Sequence, residues 1–294
     1  MAMGAADLVP GVSGGTIAFI TGIYEELIGS LGSFRFSLFK DLKTKGLQNV
    51  WNTINGNFLL AIFGGVSISL TALSRVVAWL IDEKPIALWS FFFGLVVASI
   101  VFVFKKIDQW QFKTILSFTV GTAVAYMLTT WGVYDGSSGL FYLFLSGAIA
   151  ICAMILPGIS GAFILIILGS YHTILDAVNS KDLLKIFVFS LGAIVGILSF
   201  SKLLKWLFNN YKNATLAVLT GFMTGALVKI WPWKTVLSYR INSDGIQVPF
   251  SEKVVLPTTY NGDPNTAEAF SLMALGFVLI FILERIGTKS KSCV

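Results

Sequence analysis

The hexapeptide Pro10-Gly11-Val12-Ser13-Gly14-Gly15 recurs as Pro157-Gly158-Ile159-Ser160-Gly161-Ala162, half of the 294-residue chain away. Both copies lie inside strongly apolar sequence, and Gly22 and Tyr24 find Gly169 and Tyr171 at the same offset. Proline has no N–H and disfavours helical geometry in the residue before it, here Val9 and Leu156, so each copy predicts a broken helix. Ser13 and Ser160 suit the N-cap of a new half-helix. The amides of Gly14, Gly15 and Thr16, and those from Gly161 to Phe163, are then expected to point at the membrane midplane without intrahelical partners. Such an end carries roughly half a positive charge and attracts anions, and glycine lets a head group approach the backbone. The chemistry predicted is non-covalent binding of an anion. A packing kink is the alternative for one copy, but two matched copies favour a site.

Arg75 and Lys202 are basic residues inside apolar stretches, matched through Ser74-Arg75 with Trp79 and Ser201-Lys202 with Trp206. An ionisable side chain there costs about 3 kcal/mol on insertion scales. Snorkelling to the interface would relieve that cost; their matched positions favour a role as cationic partners of an anionic head group, one toward each face. Asp7 precedes the first Pro-Gly and Met154 replaces it in the second copy, which makes Asp7 a candidate proton or cation coupling site. Glu25, followed by Glu26, is a second coupling candidate, and His172 is an interfacial residue or a proton relay. The pairs Gly192/Gly196 and Gly221/Gly225 read as helix-packing faces. Gly11-Val12-Ser13-Gly14 also fits the G-x-S-G of intramembrane serine proteases. That chemistry needs a histidine to activate the serine, and His172 has no counterpart in the first half, so no enzyme, cofactor or metal site is expected.

These residues need elements to hold them. Hydrophobic residues make up 55% of the chain and charged residues 12%, against about 25% charged in a soluble domain. With a mean hydropathy of +0.81, the chain reads as an all-α polytopic membrane protein. The net charge of +6 is spread over short loops rather than one patch, so nucleic acid is not an expected partner. Cys152 and Cys293 form neither a predicted disulfide nor a metal spacing.

Spans of roughly 20 apolar residues are expected over Phe58–Leu80, Ile86–Phe104, Phe112–Trp131, Ile186–Phe208, Ala214–Trp231 and Phe270–Ile286. Broken, re-entrant elements are expected over residues 7–31 and 140–175. The arm before the first break is almost missing, so either the native start lies further upstream, the favoured expectation, or that arm is dispensable. Lysine and arginine bias puts Arg35, Lys40, Lys43, Lys45, Lys105, Lys106 and the C-terminus in the cytoplasm, with Lys84, Lys181 and Lys185 outside. Each half, 1–131 and 140–287, then holds one hairpin and three spans, an odd number of crossings that inverts the second repeat relative to the first. Residues 232–268, with Pro249, Pro257, Pro264 and an Asp244-Gly245 turn, are too polar to span and predict an extracytoplasmic flap with a β-hairpin.

The run Ala6-Asp7-Leu8-Val9-Pro10-Gly11-Val12-Ser13-Gly14-Gly15-Thr16 with Gly22-Ile23-Tyr24-Glu25 resembles a bacterial and archaeal membrane family assigned as polyprenyl-phosphate transporters. Leu156-Pro157-Gly158-Ile159-Ser160-Gly161 with Gly169-Ser170-Tyr171 is similar to that family's second motif. The resemblance covers nearly the whole chain. It implies recycling of undecaprenyl phosphate from the outer to the inner leaflet of the bacterial cytoplasmic membrane, with the lipid and the membrane as partners; the sequence leaves the oligomeric state open, a homo-oligomer included. A channel or transporter for a small soluble anion would use the same helix ends and is the competing expectation.

Overall fold

A computed structural model describes residues 1–8, 13–35, 37–130, 139–241 and 247–291. The first half runs α1 (Ala2–Asp7), α2 (Gly14–Ile20), α3 (Tyr24–Gly32), α4 (Ser37–Thr53), α5 (Gly56–Glu83), α6 (Pro85–Phe104) and α7 (Phe112–Thr130). The second runs α8 (Leu140–Ile155), α9 (Gly161–Ile167), α10 (Tyr171–Asn179), α11 (Leu183–Asn210), α12 (Lys212–Ala226), β1 (Lys234–Ile241), β2 (Gln247–Val254) and α13 (Thr266–Lys291). The fold is mostly helical. Among the described residues four helices are long and apolar enough to cross a bilayer: α5 over Gly56–Ile81, α6, α7 over Phe112–Thr129, and α11. The chain is a membrane protein.

The expected stretches 58–80, 86–104 and 186–208 lie within α5, α6 and α11, and 270–286 lies within α13. α7 follows the expected 112–131 stretch, of which Trp131 falls outside the described residues. α12 ends at Ala226, short of the expected Trp231. Pro232 disfavours helix at the residue before it, and the chain turns first. β1 and β2 pair antiparallel, Lys234 opposite Val254 and Ile241 opposite Gln247; the anticipated Asp244-Gly245 turn lies outside the described residues.

The long helices cross where glycines remove side chains. A Cβ on Gly221 of α12 would strike the carbonyl of Phe118 in α7, and one on Gly225 would strike that of Thr122. A Cβ on Gly94 of α6 would strike the carbonyl of Met273 in α13, and one on Gly276 that of Phe91. Gly192 and Gly196 of α11 meet the carbonyls of Phe144 and Ala148 in α8 in the same way. Both GxxxG pairs are therefore close-packing faces, the arrangement that suits helices in lipid, where dispersion rather than hydrophobic burial drives association. Around these crossings the core draws on α2, α3, α6 and α12, with Ala18, Tyr24, Ala98, Leu219 and Met223 buried. Phe63 on α5, Phe187 and Ile194 on α11, and Ile115 and Val120 on α7 stay exposed, as expected of a surface solvated by acyl chains.

Candidate functional site

At the second break the chain leaves α8 through an extended Leu156 (φ −67°, ψ 129°) and re-enters helix after an extended Ser160 (φ −97°, ψ 126°). Between them Gly158 adopts φ +84°, a left-handed conformation that glycine takes at no steric cost. A side chain there would also meet the Met223 backbone of α12 at 2.8 Å. The Gly158 N–H donates to Thr16 Oγ1 at 3.0 Å, and Ser13 Oγ donates to the Met154 carbonyl at 2.9 Å. Ser13 and Thr16 are buried. A Cβ on Gly15 would collide with the Ile155 carbonyl. The two motifs, distant in sequence, are thus joined in one buried junction. Pro10 and Gly11 lie outside the described residues.

The two half-helix ends differ. Ser13 caps α2, accepting from the Gly15 N–H at 3.1 Å. Asp7 Oδ1 accepts from the Gly14 N–H at 2.6 Å, and the Thr16 N–H donates to the Ser13 carbonyl at 2.8 Å. A carboxylate of the chain itself therefore holds the position an external anion would take at this end. Ser160 stands at the N-cap of α9 but its side chain makes no capping bond. Among the described residues no acceptor meets the amides of Gly161, Ala162 and Phe163. The residue in Asp7's place is Met154, whose side chain has no oxygen to offer. Gly161 does pack closely: a Cβ there would lie 2.7 Å from the Ala150 carbonyl.

A small cavity opens beside this second end, lined by Gly158, Ile159, Ser160, Phe163, Thr129 and Lys229. Lys229 Nζ lies 5.1 Å from the Phe163 ring centroid and 3.4 Å from Glu252 Oε2 on β2. The same oxygen is 3.7 Å from Lys234 Nζ, which sits 4.0 Å over the Trp89 ring. Burial pushes the Lys234 ammonium down to about 8, with Glu252 offsetting part of that desolvation. Lys229, Lys234 and Glu252 belong to neither motif. A lysine in the last turn of the apolar 214–231 stretch was the available signal for the first; nothing local marks the other two.

Glu25 lines a separate cleft of about 600 Å³ with Tyr24, Glu26, Lys106, Asp108 and Lys212. Glu26 Oε1 accepts from Asn55 Nδ2 at 2.8 Å, and Tyr24 is buried edge-on against Phe19 and Phe208. Arg75 and Lys202 are exposed on α5 and α11 and line neither cavity. The side chain of His172 lies outside the described residues. Ser13 gives its hydroxyl proton to a backbone carbonyl, an acceptor that cannot serve as a general base, so the geometry does not build a serine nucleophile there.

The protein is a mostly helical membrane protein whose two broken elements meet in a buried polar junction, one half-helix end satisfied internally and the other beside a small cavity that Lys229 lines. Residues 3–248 match the VCA0040-like family, described as undecaprenyl phosphate translocase-like, and the chain belongs to that family. It is 44% identical over 293 residues, 98% of this chain and 95% of the relative, to a polyprenyl-phosphate transporter of Vibrio cholerae serotype O1. A polyprenyl-phosphate transporter of Staphylococcus aureus is 29% identical over 249 residues, 79% of this chain and 83% of that one. No solved structure matches the chain at a significant level.

Proposed function

We propose that this protein is a polyprenyl-phosphate transporter that moves undecaprenyl phosphate, or a related polyprenyl phosphate, from the outer to the inner leaflet of the bacterial cytoplasmic membrane. The observation that carries the reading is the pair of hydrogen bonds joining the two breaks, Gly158 to Thr16 and Ser13 to Met154. An unpaired charge in hydrocarbon costs many kcal/mol, so a transporter must escort the head group while the isoprenoid tail stays in lipid. Ser160, Gly161 and Lys229 form the open face of that escort. Ser13, Gly14, Gly15 and Thr16 form the second face, accessible once Asp7 releases the Gly14 amide. Asp7 is thereby the internal substitute for the phosphate and the candidate coupling residue, with Glu25 in the separate cleft a second candidate. Arg75 and Lys202, on outward faces, act where the head group enters and leaves the bilayer interface.

In this reading residues 1–131 and 140–287 are inverted repeats, each with a re-entrant element (7–31 and 140–175) and three spans, and 232–268 is extracytoplasmic. The reciprocal packing supports it. α6 crosses α13 at Gly94 as α12 crosses α7 at Gly221, and Gly94 and Gly221 share the offset that aligns Arg75 with Lys202. Rocking one repeat against the other around the junction would give alternating access. The test is flipping of a fluorescent short-chain polyprenyl phosphate in proteoliposomes, with the matching polyprenol and radiolabelled inorganic phosphate as controls. Protein-dependent flipping of the phosphate lipid alone is expected, slowed in Arg75→Gln and Lys202→Gln. Uptake of inorganic phosphate without lipid flipping would replace this reading with a soluble-anion pathway.

A further inference from the structure

We infer that Lys229 and Lys234 together form the capture site for the phosphate monoester head group at the hairpin side of the junction, and that Glu252 is its resident counter-ion, displaced as the head group enters. The inference rests on the transporter reading above and deepens it.

Two ammonium groups converge on one carboxylate oxygen, at 3.4 Å and 3.7 Å. Both distances are long beside the roughly 2.7–2.9 Å of a well-formed charge-assisted hydrogen bond, and among the described residues two lysines against one glutamate leave a positive charge uncompensated. The Lys234 side chain is only 8% exposed. Burying an ammonium with half a partner is unfavourable, and the rings of Trp89 and Phe163 supply only the partial compensation of cation–π contact.

Anchoring the hairpin does not call for this arrangement. Trp231 Nε1–H donates to the Val255 carbonyl at 2.9 Å, Trp233 Nε1–H to the Pro264 carbonyl at 2.8 Å, and the Val255 N–H to the Trp233 carbonyl at 3.1 Å. Those bonds hold the base of the strands without Glu252. A phosphate monoester carries about −1.5 to −2 charge at neutral pH and three strong acceptor oxygens, which matches two ammoniums better than one carboxylate does. Because both Nζ atoms reach a single oxygen, one phosphate can bridge them. Lys229 also lines the small cavity beside Gly158 and Ser160, so a phosphate on its ammonium lies next to the junction. Glu252, with its side chain 26% exposed, has room to swing outward when displaced.

The experiment measures binding of fluorescent farnesyl phosphate to the full-length protein in nanodiscs, with farnesol as the control without phosphate. Glu252→Gln keeps shape and removes the competing charge, and binding should tighten about three- to fivefold, the scale of a partly exposed ion pair. Lys229→Gln and Lys234→Gln should each weaken binding by at least as much, and Lys229→Arg should restore it. Raising the salt concentration should shrink all of these differences. A gain of affinity cannot arise from misfolding, so the Glu252 variant tests the idea even where a lysine variant folds poorly. If the wild type binds farnesyl phosphate and Glu252→Gln binds it equally or more weakly, the trio is a structural ion pair and the inference falls alone. If the wild type does not bind farnesyl phosphate, the transporter reading falls with it.

Discussion

Thr16→Val tests the joint between the two motifs. Thr16 is buried in α2, and its Oγ1 accepts the Gly158 N–H at 3.0 Å. Valine matches threonine in shape but offers no acceptor, so the Gly158 amide is left buried without a partner. An orphaned buried donor costs about 1–3 kcal/mol. Thr16→Ser keeps the hydroxyl and loses one methyl, which costs about 0.8 kcal/mol. If transport rocks the two halves apart, the Gly158–Thr16 bond exists only in the closed arrangement. Valine then shifts the balance between closed and open forms by roughly 5–150-fold, the equivalent of about 1–3 kcal/mol. Two measurements follow. Thermal unfolding in detergent should show Thr16→Val melting below both wild type and Thr16→Ser. A cysteine at Thr129, which lines the cavity beside Gly158, should change its labelling rate with an impermeant maleimide in the valine background and not in the serine one. Unchanged melting and unchanged labelling in Thr16→Val would refute the claim that this bond couples the motifs.

Lys234 predicts a pH dependence. Its folded pKa is about 8, against about 10.4 in an unfolded chain, so between those values the unfolded chain binds the extra proton. Stability should therefore rise with pH across that window by up to about 3 kcal/mol, and melting curves from pH 7 to 11 should lose that rise in Lys234→Gln. Gly94→Ala drives a Cβ into the Met273 carbonyl and should destabilise by about 1–3 kcal/mol through overpacking. Gly29→Ala, in α3 with nothing within 4 Å of the new Cβ, should be neutral or stabilising by up to about 1 kcal/mol; equal melting shifts in the two variants would contradict the packing account. Single cysteines at Thr44 and Asn261, in a background without Cys152 and Cys293, should label from opposite faces of intact cells. Labelling of both from one face would end the inverted-repeat proposal.

Several features of the site were legible because they are local. A Pro-Gly pair breaks a helix wherever it falls, so the second break appears at residues 156–160 as expected. Serine after the break caps the next turn, and Ser13 does so. Ser160, in the matching position of the second motif and likewise followed by glycine, does not make the capping bond. Glycines four apart in an apolar stretch predicted close helix crossings, and the carbonyls beside Gly192, Gly196, Gly221 and Gly225 bear that out. Which helices cross was not legible, since the spacing names a face and not its partner.

Composition and local stereochemistry alone therefore determined that this chain belongs in a membrane, where its helices must break, and that a polar strand pair interrupts its last apolar stretches. Each of these follows from a property of neighbouring residues: hydropathy over a span, the missing amide of proline, the polarity of the segment from 232 to 268. Tertiary structure decided the rest. It brought Asp7 onto the Gly14 amide, tied Gly158 to Thr16, turned Arg75 and Lys202 outward, and returned β2 so that Glu252 met Lys229 and Lys234. Periodicity cannot assign a side chain's neighbours on an apolar helix whose faces are hydrophobic all round, and a carboxylate's partner depends on which strand returns beside it. Those choices are made by packing across the whole chain, where no local pattern reaches.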